Sequence, residues 1–268
     1  MAKASRRSGT QSIERAVLLL KALPLRGSLG WRLVDLANHC EMDKGTTHRI
    51  LASLIRERLV RQRAGDRRYV LGSLIFELGL SLSALVAFQS VCSAPLARIA
   101  KRFDGVSMLF LRSGAEFVCA ARIDSAPLKA LTIDAGTRRP LIVSAGGVAM
   151  LIAMPKDEAR SMIAHNMKDV ARFGHTRIQS LKRMLRRSKI RGFGISQSDV
   201  VPGVSAFGVA IRDPLGAPFA SISVVGAAGR FPSSRVAEVV AALDAESRWI
   251  AREADARLGK FENSDRYR

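Results

Sequence analysis

The chain has 268 residues, enough for one or two domains, and its 43 Lys and Arg residues against 23 acids give a formal charge of +20. A positive charge of this size favours a nucleic-acid or anionic-membrane partner. No segment reaches the roughly 18 uncharged apolar residues that a membrane span requires. Polar residues also stand where a signal peptide would need an apolar run. Three widely spaced cysteines, Cys40, Cys92 and Cys119, suggest neither a disulfide framework nor a zinc pattern, so buried, reduced thiols in a cytoplasmic protein are expected.

The first part of the chain predicts two helices. Residues 1–11 form a short basic arm without periodic apolar residues and are expected to be flexible. From Ser12, apolar residues recur at helical spacing and stop before Pro24, which predicts a first helix. A shorter second helix is predicted over 31–39, and 40–42 then form a tight link to the next element.

The segment 43–59 is the most informative stretch of the chain. Asp43 is a good N-cap, and Ile50, Leu51 and Leu54 recur at helical spacing on one side, which predicts an amphipathic helix. The opposite half is basic, rich in small residues and free of acids, so it can lie close against a phosphate-lined groove. Because a helix and a short turn precede it, we interpret 43–59 as the recognition helix of a helix-turn-helix.

A basic hairpin follows this helix. Strands are predicted over 59–63 and 67–71, joined by a compact turn that arginines surround, as in the wing of a winged helix. Residues 1–72 carry 15 Lys or Arg and 6 acids, a net charge of +9. A basic helix beside a basic hairpin indicates DNA binding. The residues predicted to contact DNA are Lys44, Gly45, Thr46, Thr47, His48, Arg49, Ser53, Arg56, Arg63, Arg67 and Arg68.

Residues 73–88 predict a helix that is apolar on nearly every side. Glu77 is its only charge, and a helix of this kind has to be covered on both flanks. We interpret it as a linker helix between the DNA-binding domain, 12–72, and a second domain, 89–258. The same helix is expected to pack against a second copy of the chain as a dimer contact. Burial of the helix within one subunit is the alternative interpretation.

The second domain is predicted to have an α+β fold, with an antiparallel sheet of about five or six strands flanked by helices. Its last helix is followed by a polar tail, 259–268. Helix 177–189 is strongly basic, which indicates a solvated surface, with a secondary phosphate contact as the alternative. Helices are predicted over 91–103, 144–153, 156–165, 177–189 and 234–258, and strands over 106–112, 117–123, 128–134, 192–196, 204–211 and 219–226.

The helix that starts at Ser144 has two glycines, Gly146 and Gly147, in its first turn. Glycine destabilises a helix, so some group is expected to approach the backbone closely here. The amides of Ala145, Gly146 and Gly147 at the positive end of the helix would suit a carboxylate. Close packing of the helix on the sheet explains the glycines equally well.

Seven stretches of the sequence matter together because of their order and spacing. They are Ser-Ile-Glu-Arg-Ala-Val at 12–17, Thr-Thr-His-Arg-Ile-Leu-Ala-Ser-Leu at 46–54, Arg-Tyr-Val-Leu-Gly at 68–72, 140–149, Arg-Gly-Phe at 191–193, Pro-Gly-Val at 202–204 and 219–226. With these stretches the chain resembles the IclR family of bacterial transcriptional regulators from about 12 to 257. The resemblance implies a winged helix-turn-helix, a linker helix and a GAF-like effector-binding domain, in dimers that often pair into tetramers on double-stranded operator DNA in the nucleoid. It also implies a small organic acid as effector, in many members an aromatic catabolite.

Departures from the family pattern affect details of both sites. Glu41, Gly45 and Arg58 replace a common Gly, Ser and Gly, which changes the expected operator contacts. In the pocket, Ser196, Ala206 and Val225 replace an acid, a thiol and a hydroxyl of members that hold very small keto acids, so a larger or more hydrophobic carboxylate is expected. The predicted effector-binding residues are Ser144, Ala145, Gly146, Gly147, Ser196, Val204, Ala206, Ser223 and Val225.

Two other functions are compatible with parts of the sequence. An enzyme, a hydrolase or a GAF-type reductase, could be fused to a DNA-binding arm, but no nucleophile elbow, P-loop or dinucleotide motif is present, and the histidines show no metal spacing. A ligand-independent nucleic-acid-binding protein is the second, although sparse aromatics argue against base-stacking RNA recognition. A regulator without catalytic residues, metal or cofactor is therefore expected, and contact with RNA polymerase is compatible with that role.

Overall fold

The structure is a computed structural model that describes residues 10–258. The chain forms two compact units, one ending at Ser83 and the other beginning at Ala84. This division falls within the predicted linker segment, 73–88. Phe88 is fully buried in the core of the second unit, with its ring centroid 5.1 Å from that of Phe219.

The N-terminal unit is a small helical domain with a two-stranded hairpin. Its core contains Leu19, Leu36 and Leu51, one from each of the first three helices. The indole N–H of Trp31 donates to the carbonyl oxygen of Ala22, and Trp31 pairs with Tyr69 as an isolated bridge beside the hairpin. The elements are α1 (Gln11–Ala22), a 3₁₀ helix (Leu23–Leu29), α2 (Leu33–His39), α3 (Lys44–Arg56), β1 (Val60–Gln62), β2 (Tyr69–Leu71) and α4 (Ser73–Leu80).

The predicted linker helix is broken rather than continuous. Helix α4 ends at Leu80, and α5 (Ser83–Phe103) starts three residues later. The break forms because the Ser81 hydroxyl donates to the carbonyl oxygen of Leu78, and the Leu82 amide bonds only three residues back, to Gly79. No residue of α4 is fully buried in the described part of the chain. Leu74 and Ile75 are half-buried, and Phe76, Leu78 and Leu80 are exposed.

The C-terminal unit is a three-layer α+β domain. All pairs in its six-stranded sheet are antiparallel, in the order β5-β4-β3-β8-β7-β6. The strands are β3 (Val106–Ser113), β4 (Glu116–Asp124), β5 (Arg138–Pro140), β6 (Gly194–Gln197), β7 (Val204–Arg212) and β8 (Pro218–Ala227). Helices α5 and α9 (Val236–Leu258) cover one face, and α6 (Ala145–Ala153), α7 (Lys156–Val170) and α8 (His175–Arg191) cover the other.

One predicted strand of this domain is wrong. Residues 128–134 form no strand, and the edge of the sheet is instead Arg138–Pro140, which pairs with β4. The Asp134 amide bonds to the hydroxyl of Thr137, and Arg122 donates to the carbonyl oxygen of Ile133 at 2.8 Å. These side-chain contacts satisfy backbone groups that a strand would place in a ladder.

The three cysteines of the chain are not reactive thiols. The three cysteines are buried and free, and burial raises the pKa of both Cys92 and Cys119 to about 12. Their thiols therefore stay protonated at neutral pH and are poor nucleophiles.

Among the helices that the structure describes, none is by itself long and apolar enough to cross a membrane.

The packing of α6 on the sheet generates a stability prediction. A Cβ atom at Gly194 would lie 1.8 Å from the carbonyl oxygen of Ala145, so Gly194→Ala should destabilise the domain by at least about 1–3 kcal/mol. Urea unfolding of the full chain measures this as a lower midpoint. Gly229→Ala is the control, because its Cβ meets nothing within 4 Å, and equal midpoints would show that α6 tolerates displacement.

Candidate functional sites

The start of the recognition helix α3 is held by a side-chain cap. The carboxylate of Asp43 accepts a hydrogen bond from the Thr46 amide at 2.7 Å. Hydrogen bonds from the Thr46 side chain and amide hold the pKa of Asp43 below its ordinary value. The cap thus stabilises the helix above the ordinary carboxyl pKa, and this contribution is lost as the pH falls through the lowered value.

Thr47 is a correction to the predicted DNA-contacting set. Its side chain is 0% exposed, and its hydroxyl donates to the carbonyl oxygen of Asp43 at 2.9 Å. The residue packs on the core side of α3, so it holds the helix start in place and offers no group to a ligand outside.

The outward face of α3 carries cations and small side chains together. Lys44, His48, Arg49 and Arg56 are exposed, and the guanidinium of Arg49 lies 3.3 Å from the Thr46 hydroxyl. Ser53 is exposed and accepts from Arg56 at 3.4 Å, and Gly45 leaves the first turn without a side chain. Within residues 10–258, Lys44, Arg49 and Arg56 form no ion pair with an acid, so their charge is available to an external anion.

The arginines of the hairpin fall into two groups. Arg63 and Arg68 both bond to Asp66 and to the carbonyl oxygen of Leu29, so they fasten the hairpin to the 3₁₀ helix. Arg67 is exposed and forms no ion pair in the described part of the chain. The same holds for Arg61, which was absent from the predicted set. The outward-facing cations of the wing are therefore Arg61 and Arg67, while the predicted Arg63 and Arg68 build its base.

The end of α3 is fastened to α4. Arg58 adopts a left-handed backbone conformation, with φ of 59°, and closes the helix as a glycine would, since the Leu59 amide bonds to the carbonyl oxygen of Leu54. Its guanidinium pairs with Glu77 and donates to the Ser73 hydroxyl at 3.1 Å. The departure from glycine thus supplies a direct contact between the recognition helix and the single charge of α4.

The C-terminal unit contains a cavity of about 410 Å³, part of it open to solvent, at the start of α6. Its walls come from strands of the sheet, the first turn of α6 and two loops. Most lining side chains are apolar, and none is charged. The lining residues are Met108, Phe110, Leu131, Ile133, Ser144, Ala145, Gly146, Ser196, Val200, Val201, Val204, Ala206, Ser223 and Val225.

Eight of the nine predicted effector-binding residues lie on this cavity, and Gly147 does not. The Gly147 amide donates to the Ser144 hydroxyl at 2.9 Å, which caps the helix. The amides of Ala145 and Gly146 have no acceptor within the described chain. Anion-binding capacity at this helix start therefore rests on two amides rather than three.

Two buried hydroxyls in this region lack hydrogen-bond partners in the described part of the chain. They belong to Ser223, which lines the cavity and is 1% exposed, and to Ser221, two residues earlier on the same strand. A buried hydroxyl without a partner costs about 1–3 kcal/mol, so the Ser223 oxygen is a natural position for a ligand atom.

The glycines at the helix start are explained by packing. A Cβ at Gly146 would lie 2.6 Å from the Phe110 ring, and one at Gly147 would lie 2.1 Å from the carbonyl oxygen of Leu141. Strand β7 approaches from the other side, since a Cβ at Gly208 would lie 2.7 Å from Gly146. The groups that approach this backbone closely are therefore the protein's own, as the packing interpretation expected.

Helix α8 holds one wall of the cavity. Arg177 donates to the carbonyl oxygen of Val200 at 2.6 Å, and Arg187 pairs with the buried carboxylate of Asp199. The carboxylate of Asp199 also accepts a hydrogen bond from the backbone amide of Gln197 at 2.8 Å. Val200 and Val201 escaped the sequence prediction because they follow β6 in a loop, where neither strand alternation nor helical spacing marks an inward-facing residue.

The chain matches two family descriptions that together cover most of its length. Residues 12–64 match the IclR helix-turn-helix domain, and residues 86–252 match the bacterial transcriptional regulator IclR C-terminal domain. The HTH-type transcriptional repressor AllR of Klebsiella pneumoniae is 27% identical over 237 residues, which are 86% of this chain and 85% of that protein.

Solved structures show the same fold. An IclR family transcriptional regulator from Brucella abortus superposes with a TM-score of 0.72 at 19% identity, covering 94% of this chain and 95% of that one. An IclR homologue from Microbacterium hydrocarbonoxydans, solved with 4-hydroxybenzoate, gives 0.69 at 16% identity, covering 91% and 99%.

The fold and the comparisons define a DNA-binding transcriptional regulator with an effector-binding domain. The chain belongs to the IclR family. Its partners are accordingly operator DNA and a small-molecule effector, and it is a regulator rather than an enzyme.

The exposed face of α3 leads to a prediction for DNA binding. Arg49→Ala should weaken binding to promoter DNA by about ten-fold or more, because one base or phosphate contact contributes about 1–3 kcal/mol. Fluorescence anisotropy with a labelled duplex measures this. Lys129→Ala, which removes one exposed cation from the other unit, should bind almost normally. A lowered melting temperature for Arg49→Ala would instead assign a structural role to Arg49.

Proposed function

We propose that this protein is a ligand-responsive regulator of a catabolic operon and that its effector is a small organic monocarboxylate with an apolar, for example aromatic, body. The observation that carries the proposal is the cavity at the start of α6. It brings together the amides of Ala145 and Gly146, the unpartnered Ser223 hydroxyl and mostly apolar walls, to which Ser144 and Ser196 add two further hydroxyls. An anion is stabilised at a helix N-terminus, and the first turn of α6 opens onto this cavity.

The lining residues include no charged side chain, which supports a ligand with one carboxylate. A second ionised group would be buried without a partner, which is strongly unfavourable. Phe110, Ile133 and Val225 supply apolar contacts for the rest of the ligand. The Microbacterium hydrocarbonoxydans protein of the same fold was solved with 4-hydroxybenzoate, a ligand of this chemical class, which supports the proposal.

The proposed mechanism is a ligand-linked population shift. Phe76, Leu78 and Leu80 of α4 are exposed, and exposed apolar patches of this kind mark protein interfaces, which supports a homodimer through α4. Dimers would place two recognition helices on double-stranded operator DNA in the cytoplasm, and two dimers would form a tetramer there. The named AllR relative is a repressor, which supports repression as the output, while activation would require contact with RNA polymerase.

The ligand class is tested by thermal unfolding in the presence of candidate acids. Benzoate and 4-hydroxybenzoate should raise the melting temperature more than glyoxylate, pyruvate or a dicarboxylate, because a ligand selective for the folded state stabilises it. A larger shift with the dicarboxylate would contradict the monocarboxylate assignment.

The role of the Ser223 hydroxyl is tested with a matched pair of variants. Ser223→Ala should weaken binding of the best acid by about ten-fold, since hydrogen bonds to charged groups contribute about 1.5–3 kcal/mol. Ser221→Ala removes an equally buried, equally unpartnered hydroxyl from the same strand, but Ser221 does not line the cavity. Isothermal titration calorimetry should therefore show near-normal affinity for Ser221→Ala. Equal losses in both variants would place the ligand elsewhere.

Sequence-specific regulation is tested by a gel shift on the promoter region beside the protein's own gene. At near-physiological salt with competitor DNA, we expect a retained complex on that promoter and none on an unrelated duplex. Equal retention on both would favour ligand-independent nucleic-acid binding, because purely electrostatic binding carries no sequence preference.

A further inference from the structure

Helix α8 carries most of the excess charge of the C-terminal two-thirds of the chain. It contains seven Lys or Arg residues and no acid, whereas residues 73–268 as a whole have a net charge of +11. Helices α7 and α9 interleave acids with cations, and α5 has three cations without an acid, fewer than half as many as α8. Helix α7 has Asp157 and Glu158 in its first turn, and α9 has Glu238 there. The charge of α8 is therefore a local feature of one helix.

Cations elsewhere in the domain are largely neutralised by neighbours. Arg98 pairs with Glu246 at 2.6 Å, and Arg138 pairs with Glu116 at 2.9 Å. Further pairs join Arg102 to Glu238, Arg112 to Glu158, Arg122 to Asp124 and Asp134, Arg230 to Asp104 and Arg248 to Asp244. The exposed cations that remain outside α8, such as Lys101, Lys156 and Arg252, lie on different helices, whereas those of α8 lie together on one helix.

The cations of α8 divide between its two sides. Arg177 and Arg187 point toward the cavity wall and bond to the segment 195–200. Lys182, Arg186 and Lys189 follow one another at helical spacing on the exposed side, and none has an acidic partner in the part of the chain that the structure describes. The inner side is anchored through Leu181 and Met184, which are fully buried, so the outer stripe is presented by a rigid helix.

We propose that the stripe Lys182, Arg186 and Lys189 is a second DNA-contacting surface that binds the phosphate backbone without reading sequence. Its three cations span about 10 Å at 1.5 Å per residue, a length of duplex that holds about three phosphates on the near strand. Phosphate contacts need only cations, whereas a protein partner would need an apolar interface core. Ile190, 78% exposed, is the single large apolar residue of α8 that is strongly exposed.

The experiment measures how binding of the full-length protein to a random-sequence 60-base-pair duplex depends on KCl concentration. The slope of log Kobs against log salt is negative. The variant K182Q/R186Q/K189Q should make it less steep by about two to three, because each phosphate contact contributes about 0.9 to its magnitude. The control variant K101Q/K156Q/R252Q removes the same charge from exposed positions on other helices and should keep the wild-type slope. If the α8 variant and the control variant have the same slope, the proposal is overturned. That result is expected if the stripe binds an acidic protein instead of DNA.

A second variant separates loss of charge from loss of structure. K182R/R186K/K189R keeps every charge and should keep the wild-type slope, whereas a slope reduced as far as in the Gln variant would contradict a charge-based contact. Thermal unfolding of all three variants verifies the fold. Because the duplex has random sequence and no effector is present, the outcome does not depend on the proposed effector or operator.

Discussion

The effector-binding unit depends on one close approach, between the first turn of α6 and the backbones of β6 and β7. Gly194 and Gly208 leave no side chain between these elements, and Gly146 leaves room for the Phe110 ring on the helix side. The helix start is thereby held at a fixed distance from Ser223 on the next strand, which pairs with Gly208. A cavity with defined walls follows from this contact, because side chains at these glycines would force the helix and the sheet apart.

Some cations of the chain form ion pairs within the protein, and others remain available to an external anion. Asp66 pairs with two arginines of the hairpin, and Asp199 pairs with Arg187 beside the cavity wall, so these cations stabilise loops. Arg49 of α3 has no acidic partner within residues 10–258 and stays available to an external anion. The formal charge of +20 therefore overstates the number of cations that can meet DNA, and the ion pairs show which ones remain.

Local signals in the sequence predicted the local structure well. The Asp43 cap and the apolar spacing of Leu51 and Leu54 predicted α3, and the structure has that helix over Lys44–Arg56 with Asp43 as its cap. The prediction failed where a side chain competes with the backbone. Thr137 bonds to the Asp134 amide and prevents the strand expected over 128–134, and such a bond leaves no periodic signature in the sequence.

The sequence by itself determined the class of each long element, the concentration of cations in α3, the hairpin and α8, and the family. Only the tertiary structure decided which residues face each other. Caps and helical spacing act over three or four residues, whereas the strand order β5-β4-β3-β8-β7-β6 places Met108 opposite Ser223, more than a hundred residues away along the chain. For this reason the unpartnered hydroxyl and the valines of the cavity loop emerge only from the folded chain.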